Sequence, residues 1–241
     1  NKVYEAALGA DLVAREYKKL FSESRGKYYL TTNCPVVVSN VEKFQPDLID
    51  NLAPIVSPWI AMAKVLKKEY GEESKIVYIG PCIAAKEEAK RHAKEVKIDA
   101  VLTFEELREL IDESGLREKN LTYAKFDGLV AKKGYLYPIS NGLLQMMEES
   151  EDLLNSKIIT CEGHVDFVNS LQNFNQDVNE FKSHLNIFYC NGCISGPGSK
   201  KNISKFVWLV TMINRYMDGA VLILEIFWTL RKSFLVVRFL L

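Results

Sequence analysis

Apolar residues recur three or four apart from the start of the chain. Val3, Ala6, Ala10, Val13, Tyr17 and Leu20 form one stripe, with Glu5, Asp11, Arg15, Glu16, Lys18 and Lys19 between them. That spacing predicts an amphipathic helix laid on a core. After Gly26 the run Lys27-Tyr28-Tyr29-Leu30 reads as a short strand leading into Thr31-Thr32-Asn33-Cys34-Pro35. Ser57-Pro58 predicts a helix start, with Ser as cap and Pro in the first turn, and Ile60, Ala63 and Leu66 lead to a stop at Gly71. Lys75-Ile76-Val77-Tyr78-Ile79 reads as a buried strand broken by Gly80-Pro81-Cys82, and 83–93 as a helix with charged faces.

The alternation continues. A strand is expected over 98–102, and Thr103 with Glu106 makes a capping box that opens a helix to Glu113 and Gly115. Between 121 and 138 the pattern is weak, with turns at Gly128 and Gly134; Ser140-Asn141-Gly142 then punctuates before a helix over 143–154. Lys157-Ile158-Ile159-Thr160 is a further strand, followed by Cys161-Glu162-Gly163-His164 and a helix carrying Val165, Val168 and Leu171. Leu185-Asn186-Ile187-Phe188-Tyr189 is the strand that delivers Cys190. Strands alternating with helices predict an α/β fold with mostly parallel sheets flanked by helices. In such folds ligands sit beyond the carboxyl ends of strands, which is where Cys34, Cys82, Cys190 and Cys193 all fall.

From Phe206 the character changes, and 220–228 and 234–241 are the most apolar stretches of the chain. Glu225 and Arg231-Lys232 interrupt them, so no membrane span is expected; a buried or partner-covered element and a shifted reading frame both remain open. The expected division is therefore 1–205 as the folded domain and 206–241 as an atypical segment. The chain opens on Asn1-Lys2-Val3 without an initiator Met, which sets the expectation of sequence upstream.

Composition narrows the function. The 241 residues are 48% apolar, and 31 acids balance 31 Lys plus Arg, so there is no electrostatic footprint for nucleic acid. Five widely spread cysteines and no signal peptide argue for reduced thiols in a cytoplasm rather than a disulfide framework. Cys190-Asn191-Gly192-Cys193, followed by Ile194-Ser195-Gly196-Pro197-Gly198, sits on a loop able to turn tightly around a bulky group. Four strand-end loops could bring Cys34, Cys82, Cys190 and Cys193 around a four-iron cluster. Structural zinc on the same four thiols and unliganded buried cysteines are the alternatives. Cys161 lacks the Gly-Pro setting and reads as a small core or loop residue. His164 and His184 read as surface or cap residues, and His92 lies on a charged helix.

Thr31-Thr32-Asn33-Cys34-Pro35, the run Gly80-Pro81-Cys82-Ile83-Ala84-Ala85-Lys86-Glu87-Glu88, and Tyr189-Cys190-Asn191-Gly192-Cys193-Ile194-Ser195-Gly196-Pro197-Gly198 resemble three signature loops. They are those of the iron-only ([FeFe]) hydrogenase large subunit, C-terminal domain, in the same order, and Pro138-Ile139-Ser140-Asn141-Gly142-Leu143-Leu144 is similar to the segment before that family's late helix. The resemblance spans 2–205. It implies a two-lobed fold, N-terminally truncated here, with a [4Fe-4S] cluster on Cys34, Cys82, Cys190 and Cys193. In true hydrogenases the thiolate matching Cys193 also bridges to a diiron subcluster.

Three departures shape the functional expectation. Asn33 stands where the family carries a proton-passing Cys, and an amide does not titrate. Ala85 stands where the family has Lys, and Lys86, the one catalytic candidate, follows a place later, about 100° round a helix. Only two residues separate Cys190 from Cys193, where the family has three, and no acid lies between Leu185 and Cys190 to continue a proton relay. This pattern is similar to the hydrogenase-like branch tied to ferredoxin and sensory modules, which implies electron transfer or redox/H2 sensing under anaerobic conditions. An active ferredoxin-linked hydrogenase and a non-catalytic scaffold related to cluster-assembly proteins are the other two readings. The implied partner is a ferredoxin or a fused ferredoxin-type module.

Overall fold

The computed structural model describes residues 2–117, 123–149, 157–199, 223–224 and 235–238. The chain forms a mixed α/β fold in which short parallel sheets are flanked by helices. Strand β1 (Lys2–Glu5) runs straight into α1 (Ala6–Ser22). α2 (Pro35–Phe44) follows the first cysteine loop, and α3 (Pro58–Tyr70) ends at Gly71, whose φ of 88° stops the helix. β2 (Ile76–Gly80), α4 (Ala85–Arg91), β3 (Ala100–Thr103) and α5 (Phe104–Glu113) come next. The Thr103–Glu106 capping box is formed in both directions.

β4 (Tyr123–Ala124) pairs antiparallel with β7 (Ile223–Leu224), and α6 (Gly142–Met147) is short. β5 (Ile158–Glu162), α7 (His164–Phe181) and β6 (His184–Phe188) complete the second unit, with β5 and β6 parallel. The main sheet has the order β1-β8-β2-β3, with all of its neighbours parallel. Its second strand, β8 (Leu235–Arg238), comes from the apolar C-terminal stretch and pairs on both edges. A short, almost wholly apolar run is the usual sequence of an inner parallel strand. The rest of 206–241 lies outside the described residues.

Two cores result. One gathers Tyr17 from α1, Ile60 and Leu66 from α3, and Ile79 from β2. The other gathers Leu30, Val37 and Val41 from α2 and its approach, Phe167 and Leu171 from α7, and Ile187 from β6. The cysteine loops lie where they meet, and Cys193 packs against both.

Several expectations change. Val3 belongs to a strand rather than to the first helix, because its backbone pairs with Val236 across the sheet. The strand expected over 27–30 reduces to single bridges from Leu30 to Leu52 and Leu185. Ser57 precedes α3 but makes no capping bond to it. α6 ends at Met147, where Glu148 takes φ 62°; the end of the helix expected there, 150–154, lies outside the described residues. Cys161 sits within β5, opposite Ile187, rather than after it. His184 is 1% exposed, not a surface residue, because β6 turns it between Phe21 and Tyr29.

Candidate cluster-binding site

Each cysteine is set by the start or end of a regular element. Cys34 precedes α2, with Pro35 at the first helical position, and the backbone amides of Val36, Val37 and Tyr189 point to its sulfur. The loop before it is held from both sides. Tyr17 accepts the Thr32 backbone N–H at 2.8 Å through its hydroxyl, while the Thr31 hydroxyl accepts from the Ile187 N–H at 3.1 Å. The Tyr137 hydroxyl donates to the Asn33 carbonyl at 3.0 Å, fixing the residue beside Cys34.

Cys82 follows β2, and the amides of Ala84 and Ala85 at the entry to α4 point to its sulfur. Cys190 and Cys193 follow β6 on a turn that needs Gly192. Its φ is 76°, and a side chain there would meet the Pro138 carbonyl at 2.8 Å. The loop is stitched to the second one: the Gly198 N–H donates to the Pro81 carbonyl at 3.0 Å, and the Glu105 N–H donates to the Gly198 carbonyl at 3.3 Å.

Cys34, Cys82, Cys190 and Cys193 line a single pocket of about 60 Å³. Trp59, Tyr78, Tyr137, Phe188 and the prolines 35, 58, 81, 138 and 197 supply most of the remaining wall. One water needs roughly 10–15 Å³ by this measure, so the space takes a group of several heavy atoms. Trp59 and Tyr78 stack at 4.4 Å and 17°, closing one side.

Electrostatically the pocket disfavours an uncompensated thiolate. Burial raises the Cys82 thiol to about 12, with the neighbouring Cys34 pushing the same way, and burial and Cys34 raise Cys190 to about 11. Cys34 is raised by burial, and Cys193 well raised by burial and then by Cys82, Cys34 and Cys190. Cys82, Cys190 and Cys193 each feel the Cys34 thiol, as groups converging on one place must. Among the described residues no three Cys, His, Asp or Glu side chains close on a single ion. The four sulfurs surround a space instead.

The other candidates lie elsewhere. Lys86 does not line the pocket: Ala85 turns to the core, and Lys86, one residue on, reaches outward to an ion pair with Glu106. Cys161 packs on the second core. His184 accepts the Tyr29 N–H at 3.0 Å through Nδ1, and His164 lies against the Tyr189 ring at 4.4 Å.

Sequence reasoning gave no role to Glu88, Trp59 or Tyr137. Glu88 is 3% exposed, accepts from Trp59 Nε1 at 2.7 Å, and is raised to about 7 by burial, against the pull of Ser57, Trp59 and Arg91. An acid one residue beyond another on a charged helix carries no linear signal of burial. Nor does a tyrosine in a segment without periodicity.

The family described as iron only hydrogenase large subunit, C-terminal domain, matches residues 1–205. Iron hydrogenase 1 of Clostridium pasteurianum is 27% identical over 163 residues, which cover 60% of this chain and 28% of that protein. The chain thus spans little more than a quarter of that curated relative. A solved [FeFe]-hydrogenase, from work on oxygen inactivation through the two-iron subcluster of its H cluster, superposes with a TM-score of 0.68 at 18% identity, covering 90% of this chain and 75% of that one. A variant of the [FeFe]-hydrogenase of Chlamydomonas reinhardtii gives 0.68 at 17% identity, covering 88% and 73%. A match across 205 of 241 residues, on a fold shared with these enzymes, makes the chain a member of the iron-only hydrogenase large subunit, C-terminal domain family.

Proposed function

We propose that this domain binds a [4Fe-4S] cluster through Cys34, Cys82, Cys190 and Cys193 and serves in electron transfer or redox/H2 sensing. The observation that carries the reading is the meeting of these four thiols, drawn from three separate loops, around one small, largely apolar pocket. When bound, such a cluster supplies a one-electron store. The protein's own part is to hold four thiolates, aim backbone amides at Cys34 and Cys82, and keep water out with Trp59, Tyr78 and the prolines.

Zinc fits less well: tetrahedral Zn–S bonds of about 2.3 Å require sulfurs within roughly 4 Å of one another, and among the described residues no three such ligands close on a single ion. The amide at Asn33 and the outward Lys86 favour electron handling over proton turnover, because neither places a titrating group in the pocket. A ferredoxin-type electron partner and a cytoplasmic setting belong to the same reading.

Anaerobic reconstitution followed by iron, sulfide and zinc analysis tests it. About four irons and four sulfides per chain are expected, and Cys82→Ser or Cys190→Ser should cut the content sharply. Uptake of zinc without iron overturns the reading. After exposure to the diiron maturation system, infrared bands of bound CO and cyanide would mark an active hydrogenase instead.

A further inference from the structure

Asn33 is 4% exposed and lines the thiol pocket, yet neither its side-chain nitrogen nor its side-chain oxygen has a hydrogen-bond partner among the described residues. Its backbone is committed elsewhere, because the carbonyl accepts from Tyr137, and the next residue, Cys34, opens α2. The side chain therefore has little freedom to swing out to solvent. A buried N–H without an acceptor is the rarer and costlier omission, whereas an under-satisfied carbonyl oxygen is better tolerated. The donor at Nδ2 thus sets the requirement. Water answers it poorly, as a buried water needs two to four polar partners and the wall here is mainly proline and aromatic carbon. What the pocket offers in quantity is sulfur.

Resting on the cluster reading above, we infer that the Asn33 side-chain amide donates a hydrogen bond to a sulfur of the bound cluster or of its cysteine ligands, and so raises the cluster's reduction potential. The direction follows from charge. Reduction adds one negative charge to the cluster and its ligands, and an N–H aimed at sulfur stabilises the more negative state. Asn33 is a tuning residue in this scheme and takes no proton.

The test uses the whole chain, reconstituted anaerobically, as wild type, Asn33→Leu and Asn33→Val. Redox titration followed by electron paramagnetic resonance should place both variants at more negative potentials. At a fixed poise they should be about tenfold less reduced, which is about 59 mV for a one-electron couple. Wild type prepared in D2O should also show an exchangeable-deuteron coupling to the reduced cluster beyond that of the backbone amides at Cys34 and Cys82, and both variants should lack this extra coupling.

Unchanged potentials and an unchanged deuteron coupling at equal iron content overturn the hydrogen bond and leave the cluster assignment standing. A wild type that takes up no iron overturns both. Should neither variant load, wild type labelled with 15N in its asparagine side chains decides: a nitrogen coupling to the cluster is required, and its absence overturns the inference.

Discussion

His184 lies flat between two rings, with Phe21 at 4.1 Å and 19° and Tyr29 at 5.9 Å and 13°. A neutral imidazole suits that slot. Burial, with Lys157 nearby, lowers its pKa from the ordinary 6.5 to about 4. Between those values the unfolded chain holds a proton that the folded chain does not. The stability His184 contributes is therefore present above pH 6.5 and lost as pH falls toward 4. Denaturant titrations of the apo chain from pH 7 to 4.5 should show the stability difference between wild type and His184→Phe shifting against wild type as pH falls; parallel profiles would refute the assignment. Glu88 works in the opposite sense. Its carboxyl is raised from 4.5 to about 7, so the folded state is favoured at low pH, and that contribution disappears as pH climbs through 7. Glu88→Gln keeps an oxygen to accept from Trp59 and should remove this second pH dependence, which the same titrations would reveal.

The elements that form the site are short, and they hold one another. Gly198 has no room for a side chain: a Cβ there would meet the Pro81 carbonyl and Thr103 Cβ, each at 2.8 Å. Gly198→Ala must then part the third loop from the second, at an overpacking cost of about 1–3 kcal/mol. Iron uptake on reconstitution should fall, and the melting midpoint should drop by several degrees; full uptake would show that the two loops need not touch. This local chemistry is what made the loops legible. Gly, Pro and Asn beside a thiol announce a turn whatever lies around them, and the Thr103 capping box and the Gly71 stop were readable for the same reason. What escaped was set at a distance. α2, for which the sequence reading has no element, is the exception, since its burial of Val37 and Val41 one turn apart is a local but brief signal. The His184 ring meets Tyr29, 155 residues away, and no window along the sequence spans that separation. Lys86 turns outward because Ala85 fills the core, a packing choice that a place on the helix does not settle by itself.

At the scale of the molecule, the site is a junction. Cys34 packs in the second core, Cys82 on the first, and Cys193 against both, so a group gripping all of them ties the two together. Cluster loading should then raise the melting temperature of the whole domain rather than of one half, as linkage requires of anything that binds only the folded state. The first core's sheet depends in turn on the end of the chain, since β8 separates β1 from β2 and pairs Val236 with both Val3 and Val77. Val236→Pro removes a backbone donor from that inner strand. A lost ladder bond is worth about 1 kcal/mol, and the rigid ring adds to it. Amide exchange in β1 and β2 should then speed up by roughly tenfold or more, since 1.4 kcal/mol is a factor of ten. Leu224→Pro, placed in the two-residue β7 that among the described residues pairs with β4, should leave β1 and β2 exchange as it was. Equal effects from the two substitutions would mean that β8 does not organise the sheet, and that the apolar C-terminal stretch contributes to the fold in some other way.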